Sequence, residues 1–572
     1  MIFNSHSFVI FLSLAFVVCG LMAYTPQGYR GGVRRLASRL WRSSSLRASA
    51  ILFCILFPLL LADRLSFQGP LGNRPVQVWI VLVVTSAVWS GLGLVPLWLI
   101  GRRSRIIYSL AVPLEFVLVC VEWFTRMHFD MVLAGSWIGI VGASSLEEMK
   151  WFIGQYVSVG MFACVTAIVA CIVCLERVLR CIRTASVSWV TLVASVLVVV
   201  SSFAVNHRLG VSHRKMAQFF PAVYLIPDSI ICFSEQRSLG RMARFPQIPL
   251  TARVQMDEAH PVLGVFVLGE SASRNHWSLY GYERETTPEM DSFRNEMVVF
   301  GDLVTTAIST SESMRNIFST RTIERRRDLR YSLTQVLRKC RFDTMLYSNQ
   351  ARWSEWGSDE SFSFAGCNPF VVMSEIGETN KYDSVLLKHF ERQLNCATNC
   401  VVFLHLMGSH FELADRYPPG DAPFGTRTEK GIEHTQVDHY DNTIWYTDKI
   451  LGEVVRKLKA QHKPAWMIYV SDHGETPSAK GWRTATDNDL WEIPFIVWTS
   501  PEFDAAYPER VAALRRAKDK PLQSDQLLYG LLRFMGVEGL GNAPEEDFLS
   551  DAFKPRTPRL ILGGSAAYEP VE

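Results

Sequence analysis

Apolar residues run in long blocks up to about residue 205 and in short, interrupted blocks after it. Six early runs, near 7–24, 47–62, 77–100, 107–124, 153–174 and 187–205, reach or approach the length of a membrane helix. The second is the shortest. From 261 onward the apolar blocks shrink to "VLGVFVL", "CVVFLHL", "AWMIYVS" and "IPFIVWT". Such near-continuous runs are typical of strands covered on both faces. The segments between them, "SLTQVLRKC", "YDSVLLKHFERQL" and "YDNTIWYTDKILGEVVRKLKA", carry helical apolar spacing. Strands alternating with helices predict an α/β domain with a mostly parallel, helix-covered sheet. The stretch "HRKMAQFFPAVYLIPDSIICF" mixes basic, aromatic and apolar residues, so 206–255 reads as a connector, either an interfacial helix or a plain linker. The expected organisation is a membrane domain of about six spans over 1–205, or five if one run lies in the interface, then the connector, and the α/β domain over 256–572.

Charge adds a topology. The net charge of +3 is close to balanced and gives no argument for a nucleic-acid partner. Arginines cluster instead between the first and second runs (Arg30, Arg34, Arg35, Arg39, Arg42, Arg47), the third and fourth (Arg102, Arg103, Arg105), and the fifth and sixth (Arg177, Arg180, Arg183). Alternate loops are therefore basic, which places the N-terminus and everything after 205 outside the cytoplasm. The first run lacks a basic leader, so it reads as a retained anchor. An oxidising compartment permits disulfides among Cys340, Cys367, Cys396 and Cys400; Cys396 and Cys400 are close enough in sequence to close a small loop. The membrane part has few charges within its runs, Glu122 being the main exception, which weighs against a transport path.

Three apolar strands end on residues of one chemical kind. "VFVLGES" ends at Glu270, "VVFLHLMGSH" at His410, and "YVSDHGE" at Asp472 and His473. Ligands of open α/β sheets bind beyond the carboxyl ends of the strands. Two carboxylates and an imidazole meeting there form a divalent-metal ligand set. The stretch "TTAISTSESMRNIFS", residues 305–319, offers Thr305, Thr306, Ser309, Thr310, Ser311 and Ser313. A hydroxyl at a helix N-terminus, near a metal, suits nucleophilic attack on phosphorus. Residue chemistry does not choose among these hydroxyls, and a Ser/Thr helix cap is the alternative.

The segments "VFVLGESASRNHWSLYGYERETTP", "LHLMGSHFELADRYP", "YVSDHGE", "IPFIVWTS" and "SDQLLYGLLRFMGV" together resemble the phosphoethanolamine transferases. That family includes the lipid A and MCR colistin-resistance enzymes, in the alkaline phosphatase and sulfatase superfamily. The resemblance runs over roughly 260–540. It implies Glu270, Asp472 and His473 as zinc ligands, Thr310 as nucleophile and fourth ligand, and His410 as a residue lining the phosphate site. Arg315 and Asn316 stand where the family has Pro and Cys, so one disulfide near the nucleophile is missing. A further family His after "SDHGE" has no equivalent; Lys480, Arg483 and Thr484 stand nearby. One zinc is therefore expected, with manganese the alternative. These departures resemble the CptA-like branch, which modifies lipopolysaccharide core sugar. In "GASSLEEMKWF", Ser144 and Glu148 resemble a family stretch that would bind the donor headgroup; an ordinary helix cap followed by acidic first-turn residues is the alternative.

The resemblance implies a multi-pass protein of the bacterial inner membrane with its catalytic domain in the periplasm. It would move phosphoethanolamine from phosphatidylethanolamine to a lipopolysaccharide acceptor, lipid A or core sugar, through a phospho-threonine-type intermediate. A phosphoglycerol transferase or phosphodiesterase of the same superfamily is the nearest rival, and a non-enzymatic receptor or transporter the more distant one. A sulfatase is disfavoured, because the "CxPSR" motif is absent.

Overall fold

The computed structural model describes residues 240–256, 261–325, 328–350, 359–376, 382–428, 431–477, 488–561 and 566–570. These residues belong to one compact unit, Phe233–Glu572. The six runs, Ser144, Glu148, Lys480, Arg483 and Thr484 lie outside them. Among the described residues no helix is long and apolar enough to cross a membrane.

Seven strands form the main sheet: β1 (Leu263–Gly269), β2 (Met297–Val299), β3 (Asp343–Ser348), β4 (Phe370–Val372), β5 (Cys400–His405), β6 (Ala465–Ser471) and β7 (Phe495–Thr499). Their order is β2-β7-β6-β1-β5-β3-β4. The run from β6 to β4 is parallel, whereas β7 and β2 are antiparallel additions at one edge. The sheet is therefore mixed. A strand's apolar pattern depends on burial and not on direction, so "IPFIVWT" gives no sign that it runs the other way.

Both faces of the sheet are buried. Phe266, Leu268, Phe403, Trp466, Ile468 and Val470 face one core. Val265, Val267, Val402, Leu404, Met467 and Tyr469 face the other. Helices cover each side. The relevant ones are α1 (Pro288–Ser292), α2 (Thr310–Phe318), α3 (Leu333–Lys339), α4 (Ser384–Glu391), α5 (Gln436–Lys459) and α6 (Leu527–Phe534). The three segments predicted as helices are α3, α4 and α5. Capping boxes start two of them, Ser332 with Gln335 on α3 and Thr435 with Asp438 on α5.

The central strands lock together sideways. On β1, a Cβ at Gly264 would lie 2.1 Å from the Trp466 ring of β6, and one at Gly269 would lie 2.3 Å from the Tyr469 hydroxyl. Both glycines are gaps filled by a neighbour's aromatic ring. Within the stretch read as connector, the described residues 240–255 pack on the domain: Gln335 Nε2 donates to the carbonyls of Met242 and Ala243, and 253–254 pair with 537–538. Cys340, Cys367, Cys396 and Cys400 are thiols.

Candidate active site

Register decides which residues meet. Strands β6 and β1 pair in parallel from Ala465↔Leu263 to Ser471↔Gly269. The residues that follow, Glu270 and Asp472, therefore leave the sheet side by side. Ser271 then takes a left-handed turn at φ +56°, a conformation that costs a non-glycine residue about 1 kcal/mol or more. The turn aims the Ser271 N–H at Asp472 Oδ1, 3.0 Å away, while the His473 N–H donates to the same oxygen at 2.7 Å. The Ser271 hydroxyl donates to Glu270 Oε1 at 2.8 Å. The Tyr440 hydroxyl of α5 clasps the turn, donating to the Ser271 carbonyl and accepting from the Ser273 N–H, each at 2.7 Å.

Glu270, Asp472 and His473 are all buried and offer one ligand atom each within 4.8 Å of one another. The imidazole is oriented by its far nitrogen: Nδ1 donates to the Gly474 carbonyl at 2.8 Å. That leaves Nε2 turned toward Glu270 Oε1 at 3.5 Å and Asp472 Oδ2 at 3.4 Å. Asp472 Oδ2 is buried and has no hydrogen-bond partner. Burial raises the Asp472 carboxyl above its usual range, against the lowering by its two backbone N–H donors. An unbonded carboxylate oxygen, a second carboxylate and an imidazole nitrogen aimed at one point fit a divalent cation.

Thr310 joins this group. It is the first residue of α2, and its hydroxyl donates to Glu270 Oε2 at 3.0 Å. Three of the neighbouring hydroxyls are otherwise engaged. Thr305 donates to the Asp472 carbonyl at 2.8 Å, Ser313 to the Ala307 carbonyl at 3.1 Å, and Thr306 accepts from Asn316 at 2.8 Å. Asn316 thus ties the start of the segment to α2, at the position where the resemblance leads one to expect Cys.

His410 stands apart from the three converging ligand atoms. It is half-buried on the loop that follows β5, with its ring 4.1 Å from that of Phe411. That loop is fixed from behind by buried Asp383, which accepts the Met407 and Gly408 N–H groups at 2.8 and 2.9 Å and the Asn349 amide at 2.8 Å. Gly408, at φ +49°, lies so close to Glu270 that a Cβ would sit 2.8 Å from its carbonyl oxygen.

One residue escaped the sequence reading. Buried Gln350 donates its amide to both Glu270 Oε2 and the Leu406 carbonyl, each at 2.9 Å. It joins the candidate metal ligand to the end of β5. The signal was present: "MLYSNQ" is a further apolar strand ending on polar residues.

The chain is similar to known proteins in both sequence and fold. The Sulfatase family model matches residues 263–537. The phosphoethanolamine transferase EptC of Escherichia coli (strain K12) is 24% identical over 552 residues, covering 89% of this chain and 92% of that protein. The crystal structure of the C-terminal periplasmic domain of EptC from Escherichia coli, in complex with Zn, matches with a TM-score of 0.50 at 25% identity, over 57% of this chain and 96% of that one. The integral membrane protein lipooligosaccharide phosphoethanolamine transferase A from Neisseria meningitidis shares the fold with a TM-score of 0.61 at 19% identity, over 88% of this chain and 99% of that one. A strand-end carboxylate pair, a histidine and a helix-start threonine thus sit in the region that the Sulfatase family model matches, and over most of its length the chain is similar to a phosphoethanolamine transferase.

Proposed function

We propose that this chain is a metal-dependent phosphoethanolamine transferase. It takes phosphoethanolamine from phosphatidylethanolamine and delivers it to a lipopolysaccharide acceptor, on lipid A or core sugar. The observation that carries this reading is the hydrogen bond from Thr310 to Glu270, made where Glu270, Asp472 and His473 converge. Glu270, Asp472, His473 and the Thr310 oxygen would hold one zinc, the metal found in the EptC domain structure. When bound, the cation supplies charge that lowers the hydroxyl's pKa and neutralises phosphate oxygens.

The chain's own residues account for the rest. The Thr310 hydroxyl hydrogen already points at Glu270 Oε2, the nearest base for it. The Thr310 oxygen attacks the donor phosphorus, the bond to the diacylglycerol oxygen breaks, and diacylglycerol leaves with a proton. The phosphoethanolamine-threonine ester is then attacked by an acceptor oxygen, and Thr310 regains its proton. N–H groups in the first turn of α2 have no intrahelical acceptor and favour a phosphate there. His410 serves as a donor to a phosphate oxygen. Ser144 and Glu148 of the membrane part bind the donor headgroup in this reading, and the catalytic domain faces the periplasm of a bacterial inner membrane.

Mass spectrometry of envelope glycolipids from cells with and without the gene tests the reading. A phosphoethanolamine mass shift on lipid A or core sugar, absent with Thr310→Ala, is expected. Identical spectra from all three strains would overturn it.

A further inference from the structure

A cavity of about 510 Å³ lies beside α5, lined in part by Pro288, Glu289, Gly420, Asp421, Trp445 and Lys449. Its volume falls in the usual range of small-ligand sites. Trp445 forms a partly exposed aromatic wall, and Phe424 braces it edge-on at 6.2 Å and 87°. The walls are tied down. The Glu289 and Met290 N–H groups donate to Asp448 of α5 at 2.7 and 3.0 Å, and Phe424 exchanges two hydrogen bonds of 2.9 Å with the Asn442 side chain.

The charges of the cavity are already matched. Asp421 pairs with Lys449, and Glu289 with Arg456. The site therefore has little drive to capture an ion. Around an indole face it carries the carboxylate and ammonium groups of Glu289, Asp421 and Lys449 and the Ser292 hydroxyl oxygen, which donates its proton to the Glu289 carbonyl and keeps its acceptor lone pairs. A sugar ring matches this arrangement, with an apolar face for stacking and hydroxyls around its edge.

The cavity is also connected to the candidate active site. The loop that begins at His410 ends in the cavity wall at 420–423. Thr443 of α5 donates to the hydroxyl of Ser409, beside His410, at 2.7 Å. Asp441, Trp445 and Lys449 follow one another at four-residue spacing on one face of α5. Asp441 in turn binds His276 Nδ1 at 2.8 Å, and His276 belongs to the segment that follows Glu270 and Ser271.

We propose that this cavity is a subsite for a sugar residue of the lipopolysaccharide acceptor. The proposal rests on the transferase reading and adds what holds the acceptor. The test uses the full chain in detergent with phosphatidylethanolamine and purified lipopolysaccharide. Diacylglycerol release without lipopolysaccharide reads the donor step alone. Trp445→Ala should raise the acceptor KM about tenfold, with donor-step release close to wild type, and Trp445→Phe should recover most of the loss. Gly420→Trp provides a second variant: Gly420 lines the cavity and a Cβ there meets nothing within 4 Å, so a bulky ring can be added to this wall without a clash at its root. It should raise the acceptor KM likewise. Wild-type acceptor KM in both variants overturns the subsite, as does a parallel loss of the donor step. Absence of diacylglycerol release by the wild-type protein overturns the transferase reading itself.

Discussion

Of the hydroxyls from Thr305 to Ser313, Thr310 is the one that donates to Glu270. Residue type alone left them equivalent, because the direction of each depends on where α2 begins; the family resemblance singled out Thr310. Thr310→Ala should reduce transfer at least about a thousandfold, as loss of a covalent nucleophile does. Its unfolding curve should stay within about 1 kcal/mol of wild type, since one partly satisfied hydroxyl is removed. Gln350 was missed because an amide is not among the usual zinc ligands, and its role exists only through Glu270. Gln350→Ala should weaken metal binding by about 10- to 100-fold, measured by competition with a chromophoric chelator. The cysteines behave differently from a simple pair. Hydrogen bonding to Cys400 lowers the Cys396 thiol to about 6, while Cys400 is pushed up. Cys396 should be alkylated quickly at pH 7, with the rate falling as pH drops through about 6. Cys400 should stay protected, as peptide mapping would show.

Elements were legible where their apolar pattern is long. Strands β1, β5 and β6 and helices α3, α4 and α5 stand where the sequence pattern predicts them. The direction of β7 and the short edge strand β2 were not legible, because neither leaves a mark in apolar spacing. The β6–β1 register was also hidden, although the site depends on it, since pairing is a long-range choice. The loop after β5 shows how an element end is held. Asp383→Ala would strand two backbone N–H groups and the Asn349 amide in a buried setting. At about 1–3 kcal/mol for each unmet group, a loss of at least 3 kcal/mol in chemical denaturation is expected, together with reduced activity. Gly408→Ala should be damaging for a different reason. It places a methyl group against Glu270 in a backbone conformation that favours glycine.

For the whole molecule, the division at about residue 205 came from run length and arginine placement, and the spans themselves lie outside the described residues. The mixed sheet with both faces buried explains why the C-terminal domain reads as an ordinary α/β protein with its chemistry gathered at strand ends. Chelation should abolish transfer and lower stability by about 2–3 kcal/mol when zinc had been present near a hundred times its Kd. Thermal unfolding of the protein before and after chelation, and again after zinc is restored, checks this.

The aromatic rings of Trp466 and Tyr469, seated in the gaps at Gly264 and Gly269, bear on that recovery. They pin the two strands that deliver Glu270 and Asp472, and they do so without help from the cation. The cradle should keep its shape when emptied, so activity would rise and fall with metal supply without a round of refolding. Loss of metal would then suspend the protein's work rather than destroy the protein.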